Sequence, residues 1–249
     1  MADTSSDTVD FGFTTIDRAE KSGRVREVFN SVARRYDIMN DLMSLGVHRL
    51  WKRDFVTMMD PRPNRTLLDL AGGTGDISFQ WRRRGGGPVL LTDINEQMLG
   101  VGRSRAENRG AIDGISFTVT DAEHLPLPDR TVDRVSIAFG LRNCTNKDQV
   151  LAEARRVLKP GGRFLCLEFS KLQVAVAAPL YERWSFAALP AIGERVAGDR
   201  ESYQYLAESI RMFPDQETLA GMMRAAGFAR VSVRNLTGGI AAIHAGWRL

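Results

Sequence analysis

The chain has 249 residues, 43% of them hydrophobic and 26% charged, which is the balance of a globular protein and excludes a disordered or collagen-like chain. A net charge of +4 suits an anionic membrane surface or nucleic acid without selecting either. No run approaches the ~20 apolar residues of a membrane-spanning helix, and the polar start predicts no signal peptide. Cys144 and Cys166 lack metal-ligand spacing, so we expect a reducing compartment and no metal site.

The N-terminal part predicts a polar tail followed by a helical cap. Residues 1–10 are polar, and we expect them to be disordered. From residue 22 to 36, apolar side chains recur at helical spacing. Residues 36–51 mix large apolar and polar side chains, which indicates either a layer over the sheet or a lid over a ligand pocket. His48, within them, is interpreted as a hydrogen-bonded structural histidine.

Residues 66–77 predict a buried strand, a tight glycine turn and the start of a helix. They read Thr-Leu-Leu-Asp-Leu-Ala-Gly-Gly-Thr-Gly-Asp-Ile. Glycines let a ligand approach the backbone because they have no Cβ. The turn lacks the Gly-Lys-Ser/Thr of a P-loop, and Ser78 stands where a dinucleotide turn needs Gly or Ala. Asp69, at the strand tip, suits a positively charged ligand such as S-adenosylmethionine (SAM), which carries a sulfonium and an ammonium.

The pattern D-x-A-G-G-T-G resembles the first motif of SAM-dependent methyltransferases, whose usual form is D/E-x-G-x-G-x-G. Ala71 stands in place of the first glycine. Gly73, Thr74 and Gly75 are therefore candidate cofactor-binding residues. A structural glycine turn in another α/β domain is the alternative that this stretch leaves open.

Acids follow the next two predicted strands. Asp93 ends the second strand, where an acid holds the ribose hydroxyls in this kind of fold, although helix capping is an alternative. The third strand leads into Asp121 and Ala122, an acid for the adenine amino group and a small residue that leaves room for the ring. We interpret His124, in the same loop, as solvent-facing.

The fourth predicted strand, residues 133–138, ends in F-G-L-R-N, and the carboxyl ends of strands face the ligand crevice. Arg142 and Asn143 are therefore placed for chemistry, with a surface salt bridge as the alternative for Arg142. Glu168 interrupts the apolar fifth strand and is expected to have a partner or to belong to a site.

Residues 172–193 are apolar and aromatic, but Glu182 and Arg183 exclude a bilayer span. They are interpreted as a wall for an apolar substrate, an interfacial element or a buried insertion helix. Together the pattern predicts an α/β fold: a Rossmann-like, doubly wound sheet of seven strands with helices on both faces.

Several stretches resemble the ubiquinone/menaquinone biosynthesis C-methyltransferase family over about residues 11–249. They are Y-D-I-M-N-D-L-M-S-L-G-V-H-R-L-W, D-L-A-G-G-T-G, F-G-L-R-N, R-V-L-K-P-G-G-R-F-L-C-L-E-F-S, E-S-I-R-M-F-P-D-Q-E-T-L and N-L-T-G-G-I. The resemblance implies a class I SAM-dependent methyltransferase in one domain, 11–249, with an N-terminal helical cap at 11–62 and a helical insertion after strand 5 at 172–212.

The substrate that the resemblance implies is a polyprenylated quinol, methylated on a ring carbon. Family members act on 2-polyprenyl-6-methoxy-1,4-benzoquinol, demethylmenaquinol or both. Among the family's SAM-binding positions are Thr74, Asp93 and the pair Asp121–Ala122. Its frequent serine is Ala138 here, which leaves only a backbone contact. Arg142 and Asn143 would lie near the ring, where we hypothesise that Arg142 stabilises a phenolate and Asn143 orients a water.

Such a substrate implies a cytoplasmic protein in transient, peripheral contact with the inner face of a membrane, through residues 172–193. A quinone-biosynthesis complex and a homodimer stay open. Nucleic acid is not expected, because no N-P-P-Y tetrapeptide follows the fourth strand and neither cysteine follows a proline. The alternatives are a SAM methyltransferase for another small apolar molecule and a SAM-binding scaffold.

Overall fold

Nine strands occur in the described part of this computed structural model, which comprises residues 7–32, 41, 44, 46–173 and 200–249. They are β1 (Thr8–Phe11), β2 (Thr14–Asp17), β3 (Leu67–Leu70), β4 (Val89–Asp93), β5 (Ile115–Val119), β6 (Val132–Ala138), β7 (Leu158–Phe169), β8 (Ala229–Leu236) and β9 (Ala241–Trp247). Seven of them form one sheet in the order β5-β4-β3-β6-β7-β9-β8, and β1 and β2 form an antiparallel hairpin. The predicted seven-stranded α/β sheet is confirmed.

Seven α-helices connect or flank these strands in the same residues. They are α1 (Arg18–Val32), α2 (His48–Met59), α3 (Asp76–Arg83), α4 (Glu96–Asn108), α5 (Lys147–Val157), α6 (Arg200–Met212) and α7 (Gln216–Ala225). A 3-10 turn, Leu141–Asn143, follows β6. Asn95 and Asp215 cap α4 and α7 by accepting the amide hydrogens of Met98 and Thr218.

The chain order defines where a ligand binds. Strand β3 lies between β4 and β6 and is parallel to both. From β3 the chain forms β4 and β5 on one side, and then crosses back to form β6 on the other side. In open α/β sheets the crevice beyond the carboxyl ends of the strands at such a switch point is the usual ligand site. The Ala71–Gly75 turn and the F-G-L-R-N segment both lie at this edge, because they directly follow β3 and β6.

Helices cover both faces of the sheet, because successive residues of each buried strand face opposite cores. Leu67 belongs to one core, with Phe55 of α2 and Phe79 of α3. Its neighbour Leu68 belongs to the other, with Leu151 of α5. The prediction of helices on both faces is therefore confirmed.

Two arginines anchor the end of α2 against the sheet. Arg134 Nε donates to the carbonyl of Met59 at 2.8 Å, and Arg163 Nη1 donates to that of Met58, also at 2.8 Å. Both guanidinium groups also lie against the ring of Trp247, 5.8 and 5.1 Å from its centroid. Cations at a helix C-terminus complement its dipole, so this cluster sets the position of α2.

The N-terminal region differs from its prediction. Strand β1 begins at Thr8, inside the stretch that was expected to be a disordered tail, because its backbone pairs with β2. Helix α1 begins at Arg18, four residues before its predicted start. Residues 33–40 and 174–199 lie outside the described ranges. The structure therefore covers the segment predicted at 36–51 only at residues 41, 44 and 46–51, and the segment predicted at 172–193 only at residues 172 and 173. Across the described ranges, none of the helices has the length and apolar character to cross a bilayer.

Candidate active site

A cavity of about 290 Å³ opens at the switch-point edge, between α1 and the ends of β3, β4, β5 and β6. Most of the predicted site residues line it: Asp69, Gly73, Thr74, Asp93, Asp121, Ala122, Ala138 and Asn143. Gly75 and Arg142 are not among its lining residues. The structure therefore brings together residues from four separate strand ends around one space.

Asp69 lies beneath the glycine turn with its side chain fully buried. Ser78 of α3 donates its hydroxyl to Oδ2, and Ser136 of β6 donates to Oδ1, each at 2.7 Å. Burial raises the pKa of Asp69 to about 6, although the hydroxyl hydrogen bonds favour the charged form. Because both oxygens already hold protein groups, these contacts favour a role for Asp69 in joining β3, β6 and α3.

The glycine turn presents its backbone to the cavity. Gly73 has a φ of 53°, in the left-handed region that favours glycine. Ala71, at the position of the family's first glycine, also has a positive φ, 48°, which strains a residue with a Cβ. A Cβ at Gly140 would lie 2.6 Å from the Cβ of Ala71. The alanine therefore fits at position 71 only because position 140 is glycine.

Asp93 holds the turn from the neighbouring strand. Its Oδ2 accepts the Gly73 amide hydrogen at 2.9 Å, and its Oδ1 accepts that of Asn95 at 2.8 Å. Burial raises the pKa of Asp93 to about 6, against the opposing effect of these hydrogen bonds. Each carboxylate oxygen has a second lone pair, so Asp93 can also accept from a ligand hydroxyl.

Asp121 and Ala122 continue the cavity wall beyond β5. Asp121 Oδ1 accepts the Glu123 amide hydrogen at 2.9 Å, which fixes the loop. Among the described residues, Oδ2 has one basic group within 4.0 Å, His124 Nδ1 at 3.8 Å. The methyl group of Ala122 keeps the adjoining wall small. Both residues line the cavity, and their assignment to the adenine stays a prediction.

Arg142 forms a buried ion pair with Glu168. Its Nη1 lies 2.7 Å from Glu168 Oε1 and 2.6 Å from the Phe139 carbonyl, and both charged side chains are 1% exposed. Glu168 Oε2 also accepts the Arg142 amide hydrogen at 3.3 Å. Glu168 therefore has the partner that its sequence predicts. The surface salt bridge considered for Arg142 is wrong, and its contacts favour positioning the F-G-L-R-N turn over touching a substrate.

Asn143 faces the cavity, and its carboxamide is held by a residue far away in the sequence. Tyr205 of α6, 62 residues later, donates its hydroxyl to Asn143 Oδ1 at 3.2 Å. The Tyr205 ring stacks on Phe11, with centroids 4.2 Å apart. The Nδ2 amide hydrogens of Asn143 have no protein partner in the described ranges, so they are available to a bound molecule. Sequence reasoning missed Tyr205, since no spacing links it to Asn143.

The three histidines lie outside the lining of this cavity. His48 is buried and shares a 2.8 Å hydrogen bond with Ser44, and burial lowers its pKa to about 4. The side chain of His124 is 76% exposed. The predictions that His48 is a hydrogen-bonded structural histidine and that His124 faces solvent are therefore confirmed.

The charges around the cavity fit a cationic ligand. Five acidic residues and three basic residues line it, which leaves an excess of negative charge. SAM carries a sulfonium, an ammonium and a carboxylate, a net charge of about +1 at neutral pH. The open glycine backbone and the carboxylates of Asp93 and Asp121 form a donor and acceptor set that fits this molecule.

This sheet order and this cavity define a class I SAM-dependent methyltransferase. A SAM-dependent methyltransferase from Aquifex aeolicus has a TM-score of 0.58 and 17% identity, covering 80% of this chain and 89% of that one. One from Thermotoga maritima has a TM-score of 0.64 and 17% identity, covering 90% of this chain and 100% of that one. These likenesses show the fold.

The sequence matches the ubiE/COQ5 methyltransferase family over residues 17–248, and the chain belongs to that family. A relative from Acidiphilium cryptum, named ubiquinone/menaquinone biosynthesis C-methyltransferase UbiE, is 80% identical over 249 residues, which is the full length of both chains. The relative of the same name from Brucella abortus is 54% identical over 96% of this chain and 90% of its own. The protein is thus a methyltransferase with SAM as its methyl donor.

The buried ion pair predicts an unusual pattern of stabilities. We expect Arg142→Met and Glu168→Met each to lower the free energy of unfolding by about 3–5 kcal/mol, because each leaves the other charge buried without its partner. The double variant Arg142→Met/Glu168→Met removes both charges. Its loss of unfolding free energy should therefore be smaller than the sum of the losses in the two single variants. Urea unfolding of the four proteins measures this cycle. Additive losses would contradict the coupling.

Proposed function

We propose that the protein transfers the methyl group of SAM to a ring carbon of a polyprenylated quinol, as a step of ubiquinone or menaquinone biosynthesis. The observation that carries this proposal is the 80% identity, over both full lengths, with a relative named for that reaction. The cavity supports it: Phe29 of α1 and Phe139 after β6 contribute aromatic walls, and Asn143 contributes a hydrogen-bond donor.

The chemistry assigns a role to each part of this wall. Bound SAM supplies an electrophilic methyl group. A quinol ring carbon becomes a good nucleophile when a neighbouring ring hydroxyl loses its proton, and a site that stabilises the resulting oxyanion accelerates attack. The Asn143 amide hydrogens are the donors that suit this oxyanion, and the aromatic walls would hold the ring beside the methyl donor.

Arg142 acts in this proposal through position. Its pairing with Glu168 and its hydrogen bond to the Phe139 carbonyl hold the backbone on which Asn143 lies. The hypothesis in which Arg142 itself stabilises the phenolate requires its guanidinium to reach the ring, but Arg142 is not among the residues that line the cavity. The hypothesis that Asn143 orients a water becomes, in our proposal, a direct donor role for the same side chain.

The experiment that tests the function supplies the purified protein with methyl-labelled SAM and two short-chain quinols. One is the demethylated 6-methoxybenzoquinol and the other is demethylmenaquinol. We expect label to be recovered on a ring carbon of at least one product. SAM binding without methylation of either quinol would refute the quinol methyltransferase and support a scaffold. Methylation of an unrelated apolar molecule, but of neither quinol, would support a SAM methyltransferase for another small apolar molecule.

Tyr205 provides a test of the Asn143 role. We expect Tyr205→Phe to lower kcat by roughly 10-fold, because loss of one hydrogen bond lets the carboxamide rotate away from the ring oxygen. The KM for SAM should stay unchanged. Tyr203→Phe, which removes a second buried hydroxyl from the same helix, is the matched control. Equal effects of the two changes would show that the loss reflects helix packing.

Membrane contact is the partner that the substrate chemistry requires, since a polyprenyl tail resides in lipid. We propose a cytoplasmic protein that binds the inner face of a membrane peripherally through residues 172–193. An assembly with other quinone-biosynthesis enzymes and a homodimer stay predictions.

The membrane proposal is tested by cosedimentation with vesicles that contain anionic lipid and a polyprenylated quinol. We expect the wild-type protein to bind, and a variant with two added acidic residues within 172–193 to bind at least several-fold more weakly. Methylation of a short-chain quinol in solution is the control for folding. Equal vesicle binding by both proteins would refute this placement.

A further inference from the structure

We propose that Lys52 and Asp76 form the subsite for the amino-acid end of SAM. In this subsite the Lys52 ammonium binds the ligand's carboxylate, and the Asp76 carboxylate binds the ligand's ammonium. The inference rests on SAM as the methyl donor and does not depend on the identity of the acceptor.

The two side chains lie at the right end of the cavity. Asp93 and the Asp121–Ala122 pair lie beyond β4 and β5, and they suit the adenosine part. The glycine turn leads from the end of β3 to the start of α3 and lines the same cavity, so a ligand whose adenosine lies there can place its amino-acid part along this turn. Asp76 is the first residue of α3, and Lys52 of α2 faces it across the cavity wall.

The pair is already opposite in charge and closely spaced. Lys52 Nζ lies 2.6 Å from Asp76 Oδ2, and the Lys52 side chain is 7% exposed. Burial opposes ionisation of Asp76, yet Lys52 and Arg105 hold its pKa below the usual range. An amino-acid zwitterion carries the same two charges. The zwitterion can therefore bind beside the pair with its carboxylate next to Lys52 and its ammonium next to Asp76.

Both groups have hydrogen-bonding capacity to spare. An ammonium has three donors, and Asp76 is the hydrogen-bond acceptor of Lys52 in the described ranges. Asp76 Oδ1 has a basic neighbour only at 4.0 Å, Arg105 Nη1. Two lysine donors and one carboxylate oxygen are thus available. A buried lysine with unused donors at a cavity wall suits an anionic ligand group better than a purely structural role.

Two other cations line the cavity and are rivals for the carboxylate. Arg18 forms an ion pair with Asp7, and its side chain is 46% exposed. Arg26 belongs to α1, and no ion pair joins it to Asp76 among the described residues. Neither lies beside an acid at the glycine turn, so neither can serve both charges of the zwitterion together with its neighbour.

Two ligands that differ only in the amino-acid part provide the test. S-adenosylhomocysteine has it, and 5′-methylthioadenosine has the same nucleoside without it. We expect Lys52→Met and Lys52→Gln to weaken S-adenosylhomocysteine roughly 10- to 100-fold by calorimetry, the cost of a charged hydrogen bond. Affinity for 5′-methylthioadenosine should change less than about threefold. Asp76→Asn should show the same selectivity.

The control is Arg53→Met, which removes an exposed cation from the next position of α2. Arg53 lines an outer groove with Lys52 but does not line the cavity, so both affinities should stay at the wild-type values. Equal weakening of both ligands by the Lys52 variants would overturn the proposal, as would selective loss in Arg26→Met instead. Retained binding of 5′-methylthioadenosine shows that each variant is folded, and no quinol enters the assay.

Discussion

The buried carboxylate of Asp69 is the interaction on which the site depends. It accepts hydrogen bonds from the hydroxyl groups of Ser78 on α3 and Ser136 on β6. One side chain of β3 thus joins three elements at the switch point of the sheet. Desolvation makes the charged carboxylate costly, as its raised pKa records, and the two serines offset this cost. The glycine turn beside it can expose its backbone to the cavity because these two hydrogen bonds hold β3, β6 and α3 together.

Charge is used on both sides of this edge, in different ways. Behind the cavity, Arg142 and Glu168 neutralise each other out of water and hold the turn after β6. At the cavity wall, Lys52 and Asp76 are paired but retain donors and an acceptor. The first pair does not line the cavity and positions backbone, whereas the second pair lines the cavity and can bind a zwitterion. The same residue chemistry thus has two roles, which the position relative to the cavity distinguishes.

Much of this arrangement could be predicted from the sequence. The seven strands, the glycine turn, Asp93 and Asp121 follow from local patterns, since each motif directly follows its strand. The role of Arg142 could not be predicted, because the F-G-L-R-N motif shows that the arginine is near the edge but not which way its side chain points. Tyr205 was missed because its contact with Asn143 closes a loop of 62 residues. The hairpin at Thr8–Asp17 was missed because short polar strands resemble a tail.

The fold class, the family and the kind of molecule that the glycine turn holds can be inferred from the sequence alone, because they depend on residue types at fixed spacings within local segments of the chain. The tertiary structure alone decided which polar groups face the cavity. It turned Arg142 toward Glu168, placed Tyr205 on Asn143, and let Ala71 occupy a glycine position because Gly140 leaves space for its methyl group. Such outcomes depend on the packing of distant segments, where burial and steric fit select one orientation among several that the local sequence allows.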